Sequence, residues 1–91
     1  MSVTTLLPDR PLERAEIEAL RSNDQIEQLE IVTERRRKIT AFTVELNIKC
    51  YALHCDPETR QWETLESGDD FAGTVATHRE LENKRQPITI D

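Results

Sequence analysis

The stretch ITAFTVELNIKCYALHC, residues 39–55, decides how this chain is read. Phe42, Val44, Leu46, Ile48, Cys50 and Ala52 occupy every second position, with Thr43, Glu45, Asn47, Lys49 and Tyr51 between them. Strict alternation of this kind marks a β-strand with one buried and one wetter face. Seventeen residues exceed the usual strand of about five or six. A bend or bulge around Asn47 to Lys49 would therefore divide the stretch between two hairpins. Beyond that point the wetter face turns apolar at Tyr51 and Leu53, a second patch suited to a dimer contact.

On either side the pattern changes. Asp56-Pro57-Glu58-Thr59 carries Asp first and Pro second, a type I turn signature. Arg60 to Leu65 then returns as an antiparallel partner, giving a hairpin over 49–66, in which Trp62 and Tyr51 lie close enough to touch. Upstream, Ile26 to Arg36 fits either a strand or a helix, and the β-rich triple Ile31-Val32-Thr33 favours the strand. Its link to residue 39 is Arg35-Arg36-Arg37-Lys38. With no Gly or Asn there for a tight turn, the link reads as a wider loop or a strand end projecting arginines.

Helices flank this core. Asp9 as cap, Pro11 in the first turn and acidic residues at 13, 16 and 18 predict a helix over 11–22, stopped by Ser22-Asn23-Asp24. A second helix begins after Ser67-Gly68-Asp69-Asp70, with Asp69 or Ser67 capping. It presents Phe71, Thr74, Val75, His78 and Leu81 to the sheet and turns Glu80, Glu82, Lys84 and Arg85 to solvent. Pro87 ends it. Residues 1–10 read as a flexible arm, 11–86 as a single domain, and 87–91 as a tail or a short edge strand. The expected fold is α+β: an N-terminal helix, an antiparallel meander of about three strands with a long central strand 39–55, and a C-terminal helix packed on the sheet.

Composition bounds the function. Ninety-one residues, 36% of them apolar, make a thin core that self-association would enlarge. The net charge of -6 counts against a general duplex-binding surface. Three lysines against nine arginines, with abundant acid, fit a halophilic protein in a high-salt cytoplasm as well as an ordinary acidic one. Met1 to Pro8 lack a basic region followed by a long apolar run, and no segment reaches the roughly 20 apolar residues that span a bilayer. The expected setting is cytoplasmic, with reduced thiols.

Candidate chemistry is sparse. Cys50, His54, Cys55, Asp56 and His78 are metal ligands by type. On an extended strand, however, Cys50 and His54 stand about 13 Å apart and Cys55 faces the other side; only His54 or Cys55 could meet His78 across the sheet. A Cys50–Cys55 disulfide fails for the same reason. Glycines at 68 and 73 alone cannot form a phosphate-cradling loop or a nucleophile elbow. No cofactor, metal or catalytic group is assigned. Four adjacent cations, Arg35, Arg36, Arg37 and Lys38, read as a charged strand end that discourages aggregation, or as a contact with an acidic partner or nucleic acid. Tyr51, Leu53 and Trp62 are the expected dimer contacts. The sequence thus predicts a small non-catalytic interaction or regulatory protein, a homodimer joined through its sheet or helix face. A small DNA-binding regulator using Arg35–Lys38 is the alternative, and a minor enzyme comes third.

Overall fold

A computed structural model describes residues 7–85. The elements, in chain order, are β1 (Leu12–Glu13), α1 (Arg14–Arg21), β2 (Ile26–Arg35), β3 (Lys38–Leu46), β4 (Lys49–Cys55), β5 (Trp62–Gly68) and α2 (Phe71–Arg85). The fold is α+β, with one antiparallel sheet of five strands and two helices. β3 is its axis. β2 lies along one edge of β3; β4 and, beyond the end of β4, the two residues of β1 share the other; β5 pairs outside β4.

The expected central strand 39–55 is two strands, divided within the expected Asn47–Lys49 segment by a tight turn rather than a bend or bulge. Asn47 and Ile48 form a two-residue turn, with Leu46 paired to Lys49. Both turn residues have positive φ, 54° and 57°, as a type I′ hairpin requires. The meander therefore has four strands rather than three. The alternation carries no mark of this turn because β4 is buried on both faces. Cys50, Ala52 and His54 point to one side and Leu53 and Cys55 to the other, so apolar residues continue whichever way the register runs.

The second tight turn also differs from expectation. Arg35 pairs with Lys38, leaving Arg36 and Arg37 as a two-residue hairpin loop with φ of 52° and 67°. Left-handed backbone costs a non-glycine residue about 1–2 kcal/mol. Two arginines and the β-branched Ile48 occupy it where Asn-Gly would be relaxed. At the third turn Asp56 stands first as read, its Oδ1 accepting the amides of Glu58 and Thr59. The turn is one residue wider than a type I turn, however: the Asp56 carbonyl accepts the Arg60 amide, four residues on, at 2.7 Å, and β5 begins only at Trp62.

The first helix is shorter than the predicted 11–22. Leu12 and Glu13 pair with Ile39 and Lys38, and a Glu13–Lys38 ion pair at 3.1 Å reinforces that register. Helix therefore starts only at Arg14, and Glu16, not Asp9, closes its first turn by accepting the Glu13 amide at 2.9 Å. Arg10 clamps the same carboxylate at 2.8 Å, and this bond holds the Glu16 pKa down at about 2. The segment before β1 is anchored by Trp62, whose indole N–H donates to the Arg10 carbonyl at 2.8 Å.

The two sheet faces differ in kind. On the α1 side Leu12, Ile17, Leu29, Ile39, Phe42, Val44, Leu53, Cys55 and Trp62 form the apolar core. Trp62 meets Phe42, not Tyr51, edge to face at 5.2 Å. Register shifts near Thr33 let Ile39 join this cluster despite its odd position. The other face, under α2, is lined by Ala41, Thr43, Cys50, Ala52 and His54, small or polar side chains. There α2 buries Thr74, Val75, His78 and Glu82. Asp70, rather than Asp69 or Ser67, caps this helix: its Oδ2 accepts the Gly73 amide at 2.9 Å. The expected tail 87–91 and residues 1–6 of the expected arm lie outside the described residues.

Candidate functional site

Beneath α2 a buried polar cluster joins three strands to the helix. Thr43 Oγ1 and His78 Nδ1 are hydrogen-bonded at 2.9 Å. His78 Nε2 lies 3.8 Å from Glu82 Oε2, and His54 Nδ1 lies 2.7 Å from that same oxygen. Thr33 donates its hydroxyl to Glu82 Oε1 at 3.1 Å. Glu82 was expected to face solvent, yet it is 3% exposed. Its spacing from His78 is one helical turn, so the two share a face. That i,i+4 relation was the available signal, masked by the habit of reading glutamate as surface.

His54, Glu82 and His78 meet without a well-aligned hydrogen bond among them: His54 Nδ1, His78 Nε2 and Glu82 Oε2 all lack one within the described residues. The 2.7 Å approach of His54 is therefore a close polar contact rather than a directed bond. Burial raises the Glu82 pKa, but His54, Thr33 and His78 together outweigh it, so the carboxyl titrates below its ordinary value. Burial drives His78 the other way in charge, lowering its pKa to about 4 and keeping the ring neutral near pH 7.

By residue type Thr43, His78 and Glu82 line up as nucleophile, base and orienting acid. Thr43 and His78 are both 0% exposed, enclosed between α2 and the sheet. A tetrahedral metal would hold its donors about 3.3 Å apart, wider than the 2.7 Å seen between His54 and Glu82. Among the described residues no group of three or more His, Cys, Asp or Glu side chains is placed to hold a metal ion. The cluster connects the C-terminal half of α2 to β2 through Thr33, to β3 through Thr43 and to β4 through His54.

Both cysteines are free and buried, one on each face, and burial pushes both thiols up. Of the expected dimer contacts, Leu53 and Trp62 lie inside the single-chain core and Tyr51 is half-buried. The expected arginine contact is exposed throughout, from Arg35 to Lys38. Lys38 is held by Glu13, whereas Arg35, Arg36 and Arg37 make no ion pair among the described residues.

The α1 side carries one feature the sequence did not announce. Leu7, Leu20, Ile26, Phe42, Val44 and Leu46 line a shallow, open, largely apolar depression of about 40 Å³. It lies where α1 stops short of the sheet end. Two residues beyond Leu46, Ile48 stands 76% exposed on its strained turn. Among the described residues no helix is long and apolar enough to cross a membrane.

No curated protein and no solved structure matches the chain. One family model does, over residues 3–86, nearly the whole chain. The chain belongs to the family described as a domain of unknown function, DUF7964.

Proposed function

We propose that this chain is a non-catalytic interaction protein that works as a homodimer, with a second copy covering the depression beside α1. The observation that carries the reading is Ile48. An isoleucine in the left-handed region is an outlier, and this one is also 76% exposed, two residues beyond Leu46, which lines the apolar hollow. Strain of this kind persists where the side chain serves a purpose that a relaxed Gly would not. Around a two-fold axis, Ile48 of each copy seats against Leu20, Ile26 and Leu46 of the other, an isologous contact.

Sheet-edge pairing is a poorer route to assembly. β2 carries register shifts near both ends and β5 one near its middle, and irregular edges resist strand addition. Acidic residues add to this, since Glu27, Glu30, Glu63 and Glu66 lie on those strands. The non-catalytic half of the reading is supported by the enclosed position of the His–Glu cluster.

Substituting Ile48 tests this directly. Ile48→Asp should leave a folded monomer, because the side chain makes no contribution to the single-chain core. Ile48→Gly should also weaken the dimer while relieving the turn. If both variants keep the association state of the parent protein, another surface holds the dimer or none does.

A further inference from the structure

We propose that the β2–β3 hairpin is a phosphate-binding finger that contacts the backbone of duplex DNA. Its tip is Arg35-Arg36-Arg37, exposed, with Arg36 and Arg37 forming the whole of the two-residue loop. In this acidic chain other arginines find partners: Arg10 with Glu16 and Arg14 with Glu34 at 2.8 Å, Arg21 with Glu18 at 3.1 Å, and Arg79 with Glu30 at 3.8 Å. The three tip guanidiniums have none among the described residues. Arg60 adds an exposed cation in the β4–β5 turn at the same end of the sheet.

Chemistry selects the partner. From Glu34 to Lys38 the finger has no apolar or aromatic residue. It thus offers a protein interface no apolar or aromatic anchor beside its arginines, and it lacks the ring that stacks single-stranded bases. What remains is charge and the guanidinium fork, which binds phosphate bidentately. A two-stranded ribbon fits the B-form major groove, about 12 Å wide. The chain's negative charge does not cancel this. Glu27, Glu45 and Asp69 lie toward the opposite end of the sheet, about 24 Å or more away along seven or eight steps of β3. That is several times the Debye length of about 8 Å at physiological ionic strength. At the tip end Glu13 and Glu34 are paired with Lys38 and Arg14, and Asp56 and Glu58 share the β4–β5 turn with Arg60. The positive field a duplex meets is therefore that of Arg35, Arg36 and Arg37 themselves. This contact and the proposed dimer rest on different surfaces, so either stands without the other.

Fluorescence anisotropy with a labelled mixed-sequence duplex tests the finger. Three neutralised phosphates predict that log K falls against log salt with a slope of about −3, an affinity loss of about 40-fold between 50 and 200 mM salt. The double variant Arg36→Asn, Arg37→Gly relaxes the turn, so it stays folded. It should bind at least about tenfold more weakly and lower the slope magnitude by about 2. Arg21→Ala, which removes a cation remote from the tip, should bind as the parent does. The proposal is overturned if the parent protein fails to bind duplex at low salt or if the Asn-Gly variant binds equally well. It is equally overturned if Arg21→Ala weakens binding as much, or if polyglutamate or single-stranded DNA is captured more tightly than duplex.

Discussion

Lowering the pH from about 7 to about 5 loads the packing of α2 through the ring of His78. That ring is 0% exposed, flanked by Thr43 of β3, His54 of β4 and Glu82 of its own helix. Burial holds its pKa near 4, against 6.5 for a solvated imidazole. Between those values the unfolded chain takes a proton that the folded chain refuses, so stability falls as the pH falls through this window and levels off below it. At about 1.4 kcal/mol per pKa unit the full displacement is worth about 3 kcal/mol, of which about 2 kcal/mol is lost by pH 5. Glu82 adds to the loss at lower pH. Its pKa is depressed, so its contribution is complete above its unfolded value and disappears as the pH falls through its folded one. The assay is urea unfolding followed by Trp62 fluorescence, at fixed protein concentration, on the parent protein and on His78→Gln. Glutamine keeps a partner for Thr43 and does not titrate. The parent should lose about 2 kcal/mol more than the variant between pH 7 and pH 5. Equal losses in the two proteins would refute the account of the cluster.

Two further outcomes follow from the packing. Phe42→Ala deletes a ring that is 1% exposed and in edge contact with Trp62; it should cost about 3–5 kcal/mol and shift the Trp62 emission to the red, and a loss under 1 kcal/mol would mean the core lies elsewhere. Asp70→Ala removes the cap on the Gly73 amide and should cost about 1 kcal/mol, read as a lower thermal midpoint.

Much of the architecture was legible in the residues. Ile31-Val32-Thr33 marked β2, Asp56-Pro57 marked the β4–β5 turn, and the spacing of Thr74, Val75 and His78 marked the buried face of α2. The parts that escaped have physical causes. Both type I′ turns lack glycine, so Arg36-Arg37 gave no turn signal, and the break at Asn47-Ile48 was legible only as a bend or bulge around Asn47 to Lys49, from the excess length of the stretch. β1 and the shortened α1 depend on pairing with residues 38 and 39, a long-range contact that helix propensity cannot anticipate. Glu82 was misplaced because charged residues are almost never buried unless partnered, and its partners His54 and Thr33 come from other strands. The site residues show the same division. Exposure of Arg35–Lys38 was readable from charge alone, whereas Leu53 and Trp62 are core residues because α1 and the Arg10 segment cover them.

The proposed dimer is tested most directly by the molar mass of the intact protein in solution, by light scattering across a concentration series. The account predicts a mass approaching twice 10.6 kDa for the parent protein and a folded species at 10.6 kDa for Ile48→Asp under the same conditions. A parent protein that stays at 10.6 kDa at the highest concentration would contradict it.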